Sequence, residues 1–147
     1  MKLKLIKKKI IYGCEARGDY DSPYLTRWEF LSSSKFAVYL HKFHRSDDNS
    51  SLHDHPWNFI TIPIWRGYND CTYNGAIGGD GLPLFNRQRM YPLIPYYRKA
   101  SHVHFVELIN AKPAWTLIIR FKYIRWWGFW NKGVFTVFHE YFKKMGC

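Results

Sequence analysis

Acidic residues are scarce in this chain. Its 147 residues hold 11 Asp and Glu against 22 Lys and Arg, a formal net charge of +11. That imbalance favours polyanions, anionic small molecules or acidic surfaces as partners and does not choose among them. Cysteine is rarer still. Cys14, Cys71 and Cys147 are scattered and odd in number, and no CxxC occurs, which argues against a thiolate zinc site. They read as reduced thiols of a cytoplasmic protein, with no disulfide framework. Long apolar runs are missing: no stretch reaches the roughly 18 residues of a membrane span. Residues 1–12 mix five lysines with Leu and Ile and lack the apolar region and small-residue cleavage site of a signal peptide. The expectation is a soluble cytoplasmic protein with no membrane partner. Segments of helical period are few. There is no HExxH, no Ser-His-Asp elbow and no phosphate-cradling Gly-rich loop ahead of a helix.

What is present is aromatic and β-forming. Aromatic residues make up 20% of the chain and charged residues 22%, so a packed interior rich in large rings is expected and disorder is not. The length suits a single domain. It divides into a basic strand and loop over 1–23, a barrel core over 24–130 and a C-terminal extension over 131–147. Residues 2–12 alternate at first, as an edge strand would, and 13–23 form a loop. Residues 25–31 read as a short strand. In 36–43, Ala37, Tyr39, His41 and Phe43 share one face. Residues 46–51 are turn chemistry. Residues 53–65 read as a strand that Pro56 and Pro63 push to an edge, a bulge or a break. Segments 98–108 and 115–123 read as strands, and 134–142 as a strand or short helix. Many short strands with frequent turns predict an all-β barrel or sandwich.

Histidine carries the chemistry. His53-Asp54-His55 and His102-Val103-His104 are two His-x-His pairs about fifty residues apart. In a strand, residues two apart project from one face, so each pair sets two imidazoles side by side. On neighbouring strands of a small barrel, the two pairs would bring three or four imidazoles within reach of one metal ion. The bland alternative is turn capping, or hydrogen bonding in a polar pocket.

Several runs resemble one group of proteins. They are Leu40-His41-Lys42-Phe43, Leu52-His53-Asp54-His55-Pro56-Trp57-Asn58-Phe59, Gly67-Tyr68, His102 to Leu108, Pro113 to Leu117 and Arg125-Trp126-Trp127-Gly128-Phe129. Together they resemble the small cupin-like proteins common in bacteriophages and bacteria. The resemblance implies a cupin-type double-stranded β-helix, a jelly-roll barrel. It also implies a metal held by His-x-His, a downstream Glu and a later His. His53 and His55 match the first two. Aligned on Gly67, the Glu position falls on Ile60, so the carboxylate is missing. The later ligand is His102 or His104, which spacing does not separate. His41 is a further candidate to complete an all-histidine site, or a structural residue. The implied cofactor is a divalent metal, Fe(II) first, with Zn, Ni or Mn as alternatives.

Arg120 and Arg125 follow the 115–123 strand. If Arg120 points inward with Thr116 and Ile118, it needs an anion there, so both arginines are candidates to hold a substrate carboxylate or phosphate. Arg98 is a similar candidate, and Tyr68 and Tyr39 could add hydroxyl contacts. The basic-aromatic cluster at 125–130 could stack bases, but packing of a barrel end accounts for it as well. Two readings follow. One is a metal-dependent oxygenase acting on a small anionic substrate. The other is a non-catalytic phage barrel that sequesters a nucleotide or another phosphorylated small molecule. Direct nucleic-acid binding is the weakest option, held open by charge. A homodimer through edge strands is also expected.

Overall fold

The computed structural model describes residues 6–147, so Lys2 and Lys4 of the basic strand lie outside the described residues. The chain runs β1 (Lys7–Tyr12), β2 (Pro23–Ser32), β3 (Ala37–Phe43), β4 (Leu52–His53), β5 (Phe59–Trp65), β6 (Tyr68–Ile77), β7 (Pro83–Met90), β8 (Tyr96–Arg98), β9 (Phe105–Leu108), β10 (Ala114–Arg120), β11 (Gly128–Asn131), β12 (Val134–Val137) and α1 (Phe138–Met145). Alternation decides the largest sheet. In β3 the residues Ala37, Tyr39, His41 and Phe43 are buried and those between them are not. In β10, Ala114, Thr116 and Ile118 are buried in the same rhythm. These two strands pair antiparallel at the centre of a six-stranded sheet ordered β1-β2-β3-β10-β5-β8.

A three-stranded sheet, β7-β6-β9, packs on the inner face of that sheet. Leu25, Phe43 and Ala114 from one side meet Tyr68, Met90, Val106 and Leu108 from the other. Inside, Thr61 Oγ1 lies 2.7 Å from the Tyr68 hydroxyl and 2.9 Å from Thr116 Oγ1, so buried hydroxyls satisfy each other. The turn from β5 to β6 puts Arg66 and Gly67 at φ 69° and 66°, and a side chain at Gly67 would strike the Met90 carbonyl.

A third sheet, β12-β11-β4, ties the C-terminal segment to the first histidine pair. Phe129 pairs with His53 and Trp130 with Leu52. Much of the 125–130 cluster packs inward, with Trp127 stacked on Phe138 at 5.0 Å and Phe129 against Tyr141, while Trp126 is 64% exposed. Residues 134–142 are both strand and helix, because β12 ends where Phe138, Tyr141, Phe142 and Met145 begin a helical stripe. No helix among the described residues is long and apolar enough to cross a membrane.

Two expectations are corrected. Cys14 and Cys147 form a disulfide, and only Cys71 is free. The topology brings residues 14–15 against 146–147 there, where Glu15 N donates to the Gly146 carbonyl at 3.0 Å. Spacing in the sequence carries no sign of a contact spanning 133 residues. Segment 98–108 is not one strand. It breaks after β8, and His102 lies in the irregular stretch before β9.

Candidate metal centre

Backbone pairing across two separated segments builds the site. His53 N donates to the His104 carbonyl at 2.9 Å, His104 N returns the bond to His53 at 3.0 Å, and His55 N donates to Ala100 at 3.1 Å. These bonds fix the irregular 99–104 segment against the HDH run. Pro56 ends that run, having no N–H to extend a ladder, and β5 starts three residues later.

Three imidazoles converge as a result. The His53 ring centroid lies 5.0 Å from that of His55 and 4.8 Å from that of His104. His55 Nε2 and His104 Nε2 are 3.0 Å apart. Two ring nitrogens that close cannot both carry protons. Ligand atoms of His53, His55 and His104 all fall within 4.8 Å of one another, as do those of Asp70, His102 and His104. Among the described residues the His53 ring makes no hydrogen bond, and the His55 ring makes only the one to His104.

Asp70 supplies a carboxylate that the sequence reading placed nowhere. It projects inward from β6, two residues beyond Tyr68. Its Oδ1 accepts from His104 Nδ1 at 2.6 Å. Oδ2 is 3.0 Å from His102 Nε2 and accepts from Arg98 Nε at 2.7 Å. Burial alone would raise the Asp70 pKa, but hydrogen bonds from His102 and His104 outweigh it and hold the carboxyl well below its usual range. The ionised carboxylate accepts from His104 Nδ1, which turns Nε2 toward His53 and His55. Burial lowers the His53 pKa to about 4, aided by His104 and opposed by Asp47. His55 is likewise pushed well below the ordinary imidazole value, by burial and then by its neighbours His53 and His104. Neutral imidazoles are the protonation state that binds metal.

The remaining predicted residues are engaged elsewhere. His41 lies outside both clusters, and its Nε2 accepts from Arg27 Nε at 3.0 Å. Arg120 donates to the Tyr39 hydroxyl at 3.3 Å and to the carbonyls of Ser33 and Phe121. Arg125 pairs with Asp54 at 3.1 Å. Tyr68 sits in the core, its hydroxyl pushed up to about 12 by burial. Arg98 holds Asp70. Asp54, the middle residue of HDH, is fully buried and faces away from the imidazoles. It accepts from Gly128 N at 2.8 Å and Trp130 Nε1 at 3.2 Å. Beside His102, a cavity of about 350 Å³ is lined by Tyr97, Arg98, Lys99 and Ser101.

No family model and no curated protein sequence matches the chain. Solved structures match its fold. HppE in its Fe(II) form superposes with a TM-score of 0.55 at 10% identity, covering 82% of this chain and 60% of that one. HutD from Pseudomonas fluorescens SBW25 gives 0.51 at 11% identity, covering 80% and 61%. A protein from Ralstonia eutropha JMP134, provisionally called a mannose-6-phosphate isomerase, gives 0.51 at 12%, covering 67% and 84%. This chain thus spans about three fifths of the length of the first two. At these identities the likeness is one of fold, and that fold is the cupin-type jelly roll.

Proposed function

We propose that the chain holds one divalent metal through His53, His55 and His104 and uses it on a small anionic substrate. The 3.0 Å separation of His55 Nε2 and His104 Nε2 carries this reading. Nitrogen ligands about 2.1 Å from one ion stand about 3.0 Å apart at the roughly 90° angle of an octahedral site and about 3.4 Å apart in a tetrahedral one. A carboxylate on the far ring nitrogen, as Asp70 is on His104, directs the near one at a metal and raises its basicity. His102 is then a second donor to Asp70 rather than a ligand, since its Nε2 already faces that carboxylate.

An imidazole set suits Fe(II), zinc or nickel, and manganese less well. Three neutral ligands leave the ion's full charge, which favours an anionic co-ligand. Lys99 lines the cavity beside His102 and adds positive charge there, while Arg98 is paired with Asp70. A bound ion would supply Lewis acidity and, if it is iron, redox chemistry with dioxygen. HppE carries Fe(II) on the same fold, which supports iron as the metal, and an Fe(II) oxygenase is the specific reading we propose.

Elemental analysis of protein purified without a nickel column tests it. The expected result is one ion per chain, lost in His53→Ala, His55→Ala and His104→Ala and kept in His41→Ala. Sub-stoichiometric metal of every kind, unchanged by His53→Ala, overturns it. If nucleotides then stabilise the protein and metals do not, the sequestering reading takes its place.

A further inference from the structure

The outer face of the six-stranded sheet carries a second site. Thr26, Trp28, Lys42 and Trp115 lie on the side of β2, β3 and β10 opposite the buried His41, Phe43 and Thr116. The Trp28 and Trp115 rings stack at 5.3 Å with 13° between their planes. Lys8 Nζ lies 5.9 Å from the Trp28 ring, and Lys42 Nζ lies 5.5 Å from the Trp115 ring. With Tyr12 and His44 they border a cavity of about 350 Å³, and none of its nine lining residues is acidic. Across the register, Trp65 stands opposite Trp115 and is 59% exposed. Between them and the far strands the face continues as Leu40, Leu117 and Ile62, in a position where an antiparallel sheet ordinarily presents polar residues to water. Leu40, Leu117 and Ile62 are half-buried while Ile64 and Trp65 at the end of β5 are exposed, so part of this apolar face is open to a partner.

We propose that this face binds single-stranded nucleic acid, with bases on the tryptophans and backbone phosphates on Lys8 and Lys42. Half-buried Trp28 and Trp115, exposed Trp65 and the ammonium groups of Lys8 and Lys42 together match a base joined to a phosphate, and tryptophans on a sheet stack bases of any sequence. A duplex hides its bases from such a surface. A second copy fits less well, because a two-fold contact would set Lys8 and Lys42 near their own equivalents on a chain of net charge +11. The site is separate from His53, His55 and His104, which lie on the inner side of the barrel, although His44 borders it.

Fluorescence anisotropy of a fluorescein-labelled oligothymidylate, with the full-length protein stripped of metal by chelator, tests the proposal. Binding is expected at low salt, with quenching of tryptophan emission. Trp115→Ala should weaken it about 10-fold or more, and Trp115→Phe should recover most of the loss. Lys8→Gln with Lys42→Gln should lower the slope of log affinity against log salt by about 1.4. Lys8 is exposed on an edge strand, so its replacement does not threaten the fold. His55→Ala should bind as the wild type does. No anisotropy change at low salt, or Lys8, Lys42 and Trp115 variants that bind like the wild type, would overturn the proposal. So would loss of binding in His55→Ala. A wild-type dimer that Trp115→Ala makes monomeric would assign the face to a second copy instead.

Discussion

Asp70 Oδ1 lies 2.6 Å from His104 Nδ1, and that one hydrogen bond decides which nitrogen of His104 faces the other imidazoles. Asp70→Asn keeps the shape but loses the charge that holds His104, His102 and Arg98 together. Metal affinity, measured by competition with a chelator, should fall about 10- to 100-fold. His102→Ala removes another donor to Asp70 and no proposed ligand, so its affinity should change much less. The reverse ranking would make Asp70, His102 and His104 the ligand set.

The sequence makes some of this plain and hides the rest. Alternation over 36–43 and 115–120 exposes the two central strands, because each buries only one face. Pro56 shows where the HDH run ends. Asp70 is hidden because it reaches His104 across 34 residues of chain. The search by motif spacing led to Ile60 on β5. Ile60 is half-buried between Phe59 and Thr61, which turn inward, so no residue at 60 could reach the imidazoles. The carboxylate arrives from β6 instead. Tyr68 and Asp70, two apart just after the Gly67 corner, were the available signal: an acid on the inward face of a strand. The 99–104 segment was hidden too, since beyond one local turn bond from His102 N to Lys99 its pairing comes from distant His53, His55 and Asn58.

Asp54 should be as important to folding as its neighbours are to metal. Fully buried, it accepts from Gly128, Trp130 and Arg125. Asp54→Ala leaves those donors unsatisfied. Arg125→Ala leaves a buried carboxylate without its cation. Each should cost about 3–5 kcal/mol in urea unfolding. The double variant should cost well under the sum, because both changes break one network.

The Cys14–Cys147 disulfide closes nearly the whole chain. Restricting so long a loop in the unfolded state is worth about 5 kcal/mol in the chain-entropy view. Dithiothreitol should therefore lower the melting temperature of the wild type and leave Cys147→Ser unchanged. Cys71 is buried, and burial pushes its thiol up to about 12, so iodoacetamide should label it only on unfolding. Labelling of Cys14 in native, unreduced protein would show that the bridge does not form.

Acid should destabilise the metal-free protein before any carboxylate titrates. Above pH 6.5, His53 is neutral in both folded and unfolded chains and costs nothing. As pH falls from 6.5 towards 4, the unfolded chain takes up the proton and the folded one does not, because burial holds the folded pKa at about 4. Stability is lost across that window, by about 3 kcal/mol for this group if the shift is fully expressed. His41 and His55 are shifted the same way, both chiefly by burial, and add to the slope. Asp70 works in a lower window: its lowered pKa stabilises the fold above pH 3.8, and that support fades below it. The melting temperature of chelator-treated protein should therefore be flat from pH 8 to 7 and fall steadily from 6.5 to 4.5. His53→Asn should flatten part of that fall. Metal should steepen it, because protons compete with the ion for the same nitrogens. A melting temperature that holds constant from pH 8 to 4.5 would mean that burial does not hold these imidazoles neutral.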